Sequence, residues 1–368
     1  MQNKELTQSS SRLLSLDFFR GVTMFLLIVE FTHLYEHFVS PGLEGTWLYA
    51  IGTQLHHHPW HGLRFWDHIQ PFFMFIVGVA MPLSYNKRIK RGESHQTIFR
   101  HIALRCLLLL VLGWWLYCIP EGRIVFYMQN VLAQLSVTIF ISFLIMQKKP
   151  AWQILISIGL IALTEVVYRI FWVEGFNQPF TPDKNFGAWF DMLIAGKLSD
   201  GNWVSINAIP TTAHTIWGVL AGKLLMSNKT DKYKLSVLFI AGAAGLIIGY
   251  GLNPVTPIIK RIATSSFVFA SGGWTLIALA VSYWIIDILK FRKGVLFFAI
   301  VGMNPLFIYL FAHVGGAELV SDIFKPMAYS LFGWTGDLGV EIITSVLASF
   351  LLWYICYSLY KRKIFIKI

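Results

Sequence analysis

From Cys106 to Ile119 the chain reads CLLLLVLGWWLYCI, without one charged side chain. Extended back to His101, the stretch approaches the ~20 mostly apolar residues that carry a helix across a bilayer. Working outward, similar stretches lie at 14–38, 65–85, 125–146, 151–172, 206–226, 235–252, 265–289, 295–314 and 342–360. A shorter apolar piece, 323–332, contains Pro326 and reads as re-entrant or interfacial. The pattern predicts an all-α polytopic integral membrane protein with about ten spanning helices, or about eleven if 323–332 crosses.

Composition supports the same reading. The 368 residues are 56% hydrophobic and only 13% charged. A soluble domain carries about 25% charged residues, so this chain could not cover a water-facing surface. One membrane domain over residues 1–368 is expected, with the lipid bilayer as its solvent. The net charge of +11 would suit nucleic acid, but the basic residues come in short bursts between apolar runs. That is the positive-inside pattern, and it speaks against a nucleic-acid partner. Lys4 and Arg12 fall on one side of the predicted topology with the basic residues of 87–91, 148–149, 223–234, 290–293 and 361–367. This side holds more than twice the Lys and Arg of the other, so it is expected to be cytoplasmic and to carry both termini. The polar stretch 1–12 reads as a cytoplasmic N-terminus, and 173–205 as the largest outer loop. Cys106, Cys118 and Cys356 stand at no metal-like spacing and read as packing residues. No metal is expected.

Seven of the eleven histidines fall between His33 and His68. Histidine moves protons near neutral pH, and intramembrane ionisable groups point to function. The bland alternative is an interfacial belt of His and Trp. Glu30, His33 and His37 recur at a spacing that would put them on one helix face. Asp67 could cap the start of the second span or accept a proton from a histidine ring. Asp17 and Arg20 could pair with each other, or Arg20 could hold an anion arriving from the cytoplasm. Gln129, Asn130 and Gln134 are expected on the fourth span, and Asn304 and His313 on the ninth. Pro210 is expected to break the sixth. Trp47, Trp60, Trp172, Trp189 and Trp203 could stack on sugar faces or form an aromatic belt.

The stretch from Arg12 to Gly21, RLLSLDFFRG, resembles the R-x-x-S-x-D-x-F-R-G opening of the heparan-α-glucosaminide N-acetyltransferase family of membrane acyltransferases. His57-His58-Pro59-Trp60-His61-Gly62-Leu63, continuing to Asp67, Pro71, Phe75 and Gly78, is similar to that family's second block. Weaker matches follow at Arg123 with Gln129, from Asp191 to Gly196, at Ile209-Pro210-Thr211-Thr212 with Gly218 and Gly222, and at Gly302-Met303-Asn304-Pro305. The order is kept from Arg12 to His313. The sequence departs from the family at His61, at Glu30 and at Asn130, where the pattern has Asn, Asn and Arg.

The resemblance implies acetyl-CoA from the cytoplasm and an amino sugar, or a sugar hydroxyl, as acceptor on the far side. It places the family's essential histidine at His57, as general base or acyl acceptor, with His56 and His58 open as sharers of that role. The catalytic set expected is His57, Asp67, His61 and Glu30. Asp17, Arg20, Arg105, Gln129 and Asn304 are expected to bind the cofactor, and Trp60, Asp191 and His313 the substrate. Trp60, Asn304 or backbone amides could stabilise the oxyanion. A bacterial inner membrane is the expected location, and a homodimer is left open. A proton-coupled transporter is the alternative, although no inverted repeat is evident.

Overall fold

The structure, a computed structural model, describes residues 13–366; the predicted N-terminal tail 1–12, including Arg12 of the opening motif, lies outside the described residues. Among those residues the fold is all helix with no strand. Helices α1 (Leu14–Glu30), α2 (Leu34–Phe38) and α3 (Trp47–Gln54) precede a 3₁₀ turn, Phe65–His68, that leads into α4 (Ile69–Ile89). Next come α5 (His95–Glu121), α6 (Val131–Ile145), α7 (Pro150–Ile170) and the short α8 (Phe186–Ala195). Then follow α9 (Ala208–Met226), α10 (Asp231–Leu252) and α11 (Ser265–Ser282), which continues through a π turn, Tyr283–Ile288. The chain closes with α12 (Val295–Val301), α13 (Pro305–Phe311), α14 (Ala317–Phe332) and α15 (Gly336–Lys361). Among the described residues, six helical stretches are long and apolar enough to cross a membrane: Phe65–Ile89, His95–Glu121, Pro150–Ile170, Asp231–Leu252, Ser265–Ile288 and the multi-helix run Pro305–Lys361.

Several predicted spans change at their ends or interiors. The stretch 14–38 is not one helix, because His33 adopts a left-handed conformation (φ 61°) after Glu30 and redirects the chain. Glu30, His33 and His37 therefore do not share a helix face. His33 instead pairs with Glu36 at 3.0 Å and His37 with Glu341 at 3.5 Å. Helix α6 starts at Val131 rather than 125, so Gln129 and Asn130 precede it. Asn130 is its N-cap: Oδ1 accepts from Ala133 N at 3.0 Å, and Nδ2 donates to Gly113 O at 2.7 Å. One side chain thus starts α6 and ties it to α5. Pro210 does not break α9; it stands in the first turn, where its missing N–H costs nothing. Asn304 interrupts the predicted ninth span between α12 and α13, and His313 lies in a π turn beyond them. The piece 323–332 is the second half of α14, and Pro326 is accommodated inside that helix.

Helix α9 is the axis of the bundle, buried along nearly its whole length and packed on α4, α6 and α7. Glycine makes the closest of these crossings. A Cβ on Gly218 would collide with the backbone oxygen of Phe75, and one on Gly78 with that of Thr215. Small residues at i and i+4 let membrane helices approach closely where lipid offers no hydrophobic drive, and Gly218 and Gly222 do this for α4. Helices α10 and α11 meet in the same way, through Gly242, Gly245 and Gly249 against Ala270 and Gly273. Cys106 and Cys356 are buried, Cys118 is half-buried, and none is in a disulfide.

Candidate active site

The loop between α3 and the Phe65–His68 turn is shaped by one buried carboxylate. Asp67 Oδ2 accepts from the amides of Arg64 at 2.9 Å and His58 at 3.3 Å, while Oδ1 lies 3.0 Å from His57 Nδ1. The two roles considered for Asp67, cap and histidine partner, are therefore both filled, one by each oxygen. Arg64 Nη1 also donates to the His57 carbonyl at 3.1 Å. His57 is held by its backbone and its ring and remains partly open to solvent.

A second loop, residues 253–264 between α10 and α11, docks onto the first. Gly62 N donates to Ile258 O at 2.9 Å, and His61 Nε2 lies 3.0 Å from Asn253 Oδ1. Gly62 has φ +147°, and a Cβ there would meet the ring of His58 in the same loop, so a side chain would strain this loop where its amide bonds Ile258. A tight turn, with Ala263 N on Lys260 O at 2.9 Å and Ile259 N on Thr264 Oγ1 at 3.0 Å, fixes the next residue of interest. Lys260 is buried. Its Nζ lies 3.1 Å from His57 Nδ1, 3.8 Å from Asp67 Oδ1, and 5.3 Å from the centre of the Trp203 ring. Trp203 comes from the large 173–205 loop and also meets the His57 ring edge-on at 5.3 Å. Burial, and then the neighbouring Lys260, push the His57 imidazole down to about 4. Burial, opposed by Asp67, pushes the Lys260 ammonium down to about 8. His57 is thus a neutral ring at physiological pH, the state a general base requires.

The other expected catalytic residues stand one step away. Glu30 Oε1 accepts from Trp66 Nε1 at 2.8 Å, so it meets the neighbour of Asp67 rather than His57. His61 bonds Asn253, as above. His56 Nδ1 faces Gly52 O at 2.7 Å, and His58 faces Gly62. Of the three consecutive histidines, only His57 has its ring on Asp67.

The expected substrate residues do not gather here. Trp60 Nε1 donates to Phe180 O at 2.7 Å, which commits it elsewhere as an oxyanion donor. Asp191 accepts from Gln129 Nε2 at 2.9 Å and from Ser205 N at 3.1 Å. Gln129 and Asp191, assigned to different ligands from sequence, are partners that tie the outer loop to the start of α6. His313 is exposed and lies against the rings of Phe31 and Tyr309. Asn304 is also committed: its Nδ2 donates to Ile364 O at 3.0 Å and its Oδ1 accepts from Ile366 N at 2.8 Å, clasping the C-terminal tail. Sequence reasoning did not single out Lys260 and read Trp203 as a sugar-stacking ring or part of an aromatic belt. The available signal was two adjacent cations, Lys260 and Arg261, in a short loop on the cation-poor side.

At the opposite end of α4 is a cavity of about 1720 Å³. Asp17, Arg20, Lys87, Arg88, Arg91 and Arg105 line it, and Leu27, Phe73 and Tyr309 form apolar wall. Asp17 and Arg20 pair at 3.6 Å. Arg105 Nε is buried with no hydrogen-bond partner among the described residues. Phe73 lies six residues after Asp67 on the continuous Phe65–Ile89 segment, roughly 9 Å of helical rise.

Residues 12–253 match the family described as "Heparan-alpha-glucosaminide N-acetyltransferase, catalytic". The heparan-alpha-glucosaminide N-acetyltransferase of Homo sapiens is 25% identical over 424 residues, covering 97% of this chain and 60% of that protein. The protein of the same name from Mus musculus is 25% identical over 426 residues, with 98% and 61% covered. The chain thus spans about three-fifths of the length of these curated relatives. The family match includes His57 and Asp67 and stops before Lys260 and the 302–305 segment. These similarities lend nothing to the transporter alternative. A match over residues 12–253, carrying the opening motif and the His57–Asp67 block, makes this chain a member of the heparan-α-glucosaminide N-acetyltransferase catalytic family.

Proposed function

We propose that this protein transfers the acetyl group of cytoplasmic acetyl-CoA to the amine of an amino sugar on the far side of the membrane. The observation that carries the reading is the His57–Asp67 pair, 3.0 Å apart, at one end of the helical segment whose other end lines the basic cavity. The cavity suits the donor. Its arginines and lysines match phosphates, the unpartnered Arg105 Nε asks for an acceptor, and its apolar wall suits an uncharged thioester-bearing arm. With the cytoplasm on the cation-rich side, about ten spans and both termini inside, the cavity opens to the cytoplasm and His57 to the far side.

In the transfer, the acceptor nitrogen attacks the acetyl carbonyl carbon. The N–C bond forms, the C–S bond breaks, and His57 Nε2 takes the amine proton as Nδ1–H bonds to Asp67. The CoA thiolate then receives that proton, leaving His57 neutral. A two-step route, with the acetyl group first on His57 Nε2 and then on the amine, uses the same residues. Asp67 fixes the tautomer in either route.

The test is transfer of label from acetyl-CoA to glucosamine by purified protein, beside His57→Ala. Transfer by the native protein that is lost in His57→Ala supports the reading. Transfer that persists in the variant moves the base to His56, His58 or His61. No transfer, together with no CoA binding, ends the proposal.

A further inference from the structure

Lys260 has no part in the transfer as written, yet it is buried against the atom of His57 that decides what the ring can do. Nδ1 lies 3.0 Å from Asp67 Oδ1 and 3.1 Å from Lys260 Nζ. A neutral imidazole nitrogen is either a donor or an acceptor. It can donate to Asp67 or accept from an ammonium, but it cannot do both. We propose that the charge on Lys260 selects the tautomer of His57, making Lys260 a positioning residue that switches the base on and off. With Lys260 as an ammonium, Nζ donates to Nδ1, the ring proton sits on Nε2, and the outward nitrogen has no lone pair to accept a substrate proton. When Lys260 loses its proton, the ring proton moves to Nδ1 and bonds Asp67, and Nε2 becomes the base.

The surroundings favour this exchange. Lys260 is held by the 259–264 turn, and the face of Trp203 covers its Nζ. The charged or titratable groups around it are Asp67 and His68 from the 3₁₀ turn, Glu30 from α1, His57 from the 55–64 loop and Arg261 beside it. Asp67 and Glu30 favour the ammonium, whereas burial and Arg261 oppose it. The balance brings its titration to about 8, where a small shift in pH or in local charge changes its state. The fraction of neutral Lys260 then rises about tenfold from pH 7 to pH 9.

The inference rests on the transfer reading for its consequence, but the tautomer itself is open to measurement without turnover. The experiment uses full-length protein in lipid nanodiscs, labelled with ¹⁵N-histidine, with His57 assigned by difference from His57→Gln. Nitrogen shifts separate protonated from bare ring nitrogens. The expected result is a bare Nδ1 at pH 6.5 and a protonated Nδ1 at pH 9.5, with a midpoint near 8. Lys260→Met should hold Nδ1 protonated throughout, and Lys260→Arg should hold it bare. A single tautomer at all pH values in the native protein, or an unchanged midpoint in Lys260→Met, would overturn the inference. In parallel, the ratio of native to Lys260→Met transfer rates removes the acceptor amine's own titration and should rise about tenfold from pH 7 to pH 9. A tautomer switch in a protein that neither transfers label nor binds CoA would leave this inference standing and end the transfer reading. Transfer with a flat ratio and a fixed tautomer would do the reverse.

Discussion

The role proposed for His57 as a base depends on where its neighbours sit. An exposed histidine titrates near 6.5; here burial and Lys260 bring the ring down to about 4. A lowered pKa means the imidazolium does not form until the pH falls well below the ordinary value. The expected NMR result is a neutral His57 ring at pH 6, with protonation only near pH 4. Because Lys260 contributes to that lowering, Lys260→Met should move the protonation upward. Asp67→Asn should keep the loop, since the side-chain oxygen still accepts from Arg64 N. Its amide would donate to Nδ1 and force the proton onto Nε2. We expect kcat for acetyl transfer to fall on the order of 10²–10⁴-fold with little change in KM, as initial rates on the purified variant would reveal. Unaltered kcat would remove Asp67 from the chemistry.

Among the elements, the α4–α9 crossing decides whether the site exists. Asp67 precedes α4, and α9 holds α4 through contacts that leave no room for a Cβ at Gly78 or Gly218. Gly218→Leu should therefore separate the helices, costing about 1–3 kcal/mol or more from overpacking. A lower Tm in detergent and loss of a monodisperse peak would register it. A Tm equal to the native value would show that the crossing is less tight than its backbone contacts suggest. Asn130 and Asp67 teach a related lesson. Each is a short polar residue at a helix start, and each joins two elements while capping one.

For the whole molecule, the proposed transfer requires the cavity and His57 to communicate across the bilayer. Arg105→Gln should raise KM for acetyl-CoA about tenfold or more at similar kcat, because a charge-assisted hydrogen bond contributes about 1.5–3 kcal/mol and 1.4 kcal/mol is tenfold in affinity. Saturation kinetics would separate this from a fall in kcat, which would put Arg105 in the chemistry instead. The topology is testable in the same chain. In a background with Cys106, Cys118 and Cys356 replaced by Ala, Lys229→Cys should react with an impermeant maleimide only after cells are opened. Glu174→Cys should react in intact cells. The opposite pattern would invert the molecule and send the donor in from the far side.

The amino-acid sequence alone determined the solvent of this protein. So few charges over 368 residues leave the bilayer as the only medium, and helix is the structure that satisfies its own backbone there. Local order also singled out His57 and Asp67, ten positions apart on one short loop and turn, because the pattern that carries them is contiguous. Boundaries were less legible. The break at His33 and the late start of α6 depend on a left-handed residue and an N-cap, which hydropathy does not register. Tertiary structure alone decided that Lys260, 203 residues from His57, shares its Nδ1. It also paired Gln129 with Asp191 and spent Asn304 on the C-terminal tail. Helix packing brings distant loops into hydrogen-bond range, and the meaning of a polar residue in a membrane protein depends on which partner arrives there.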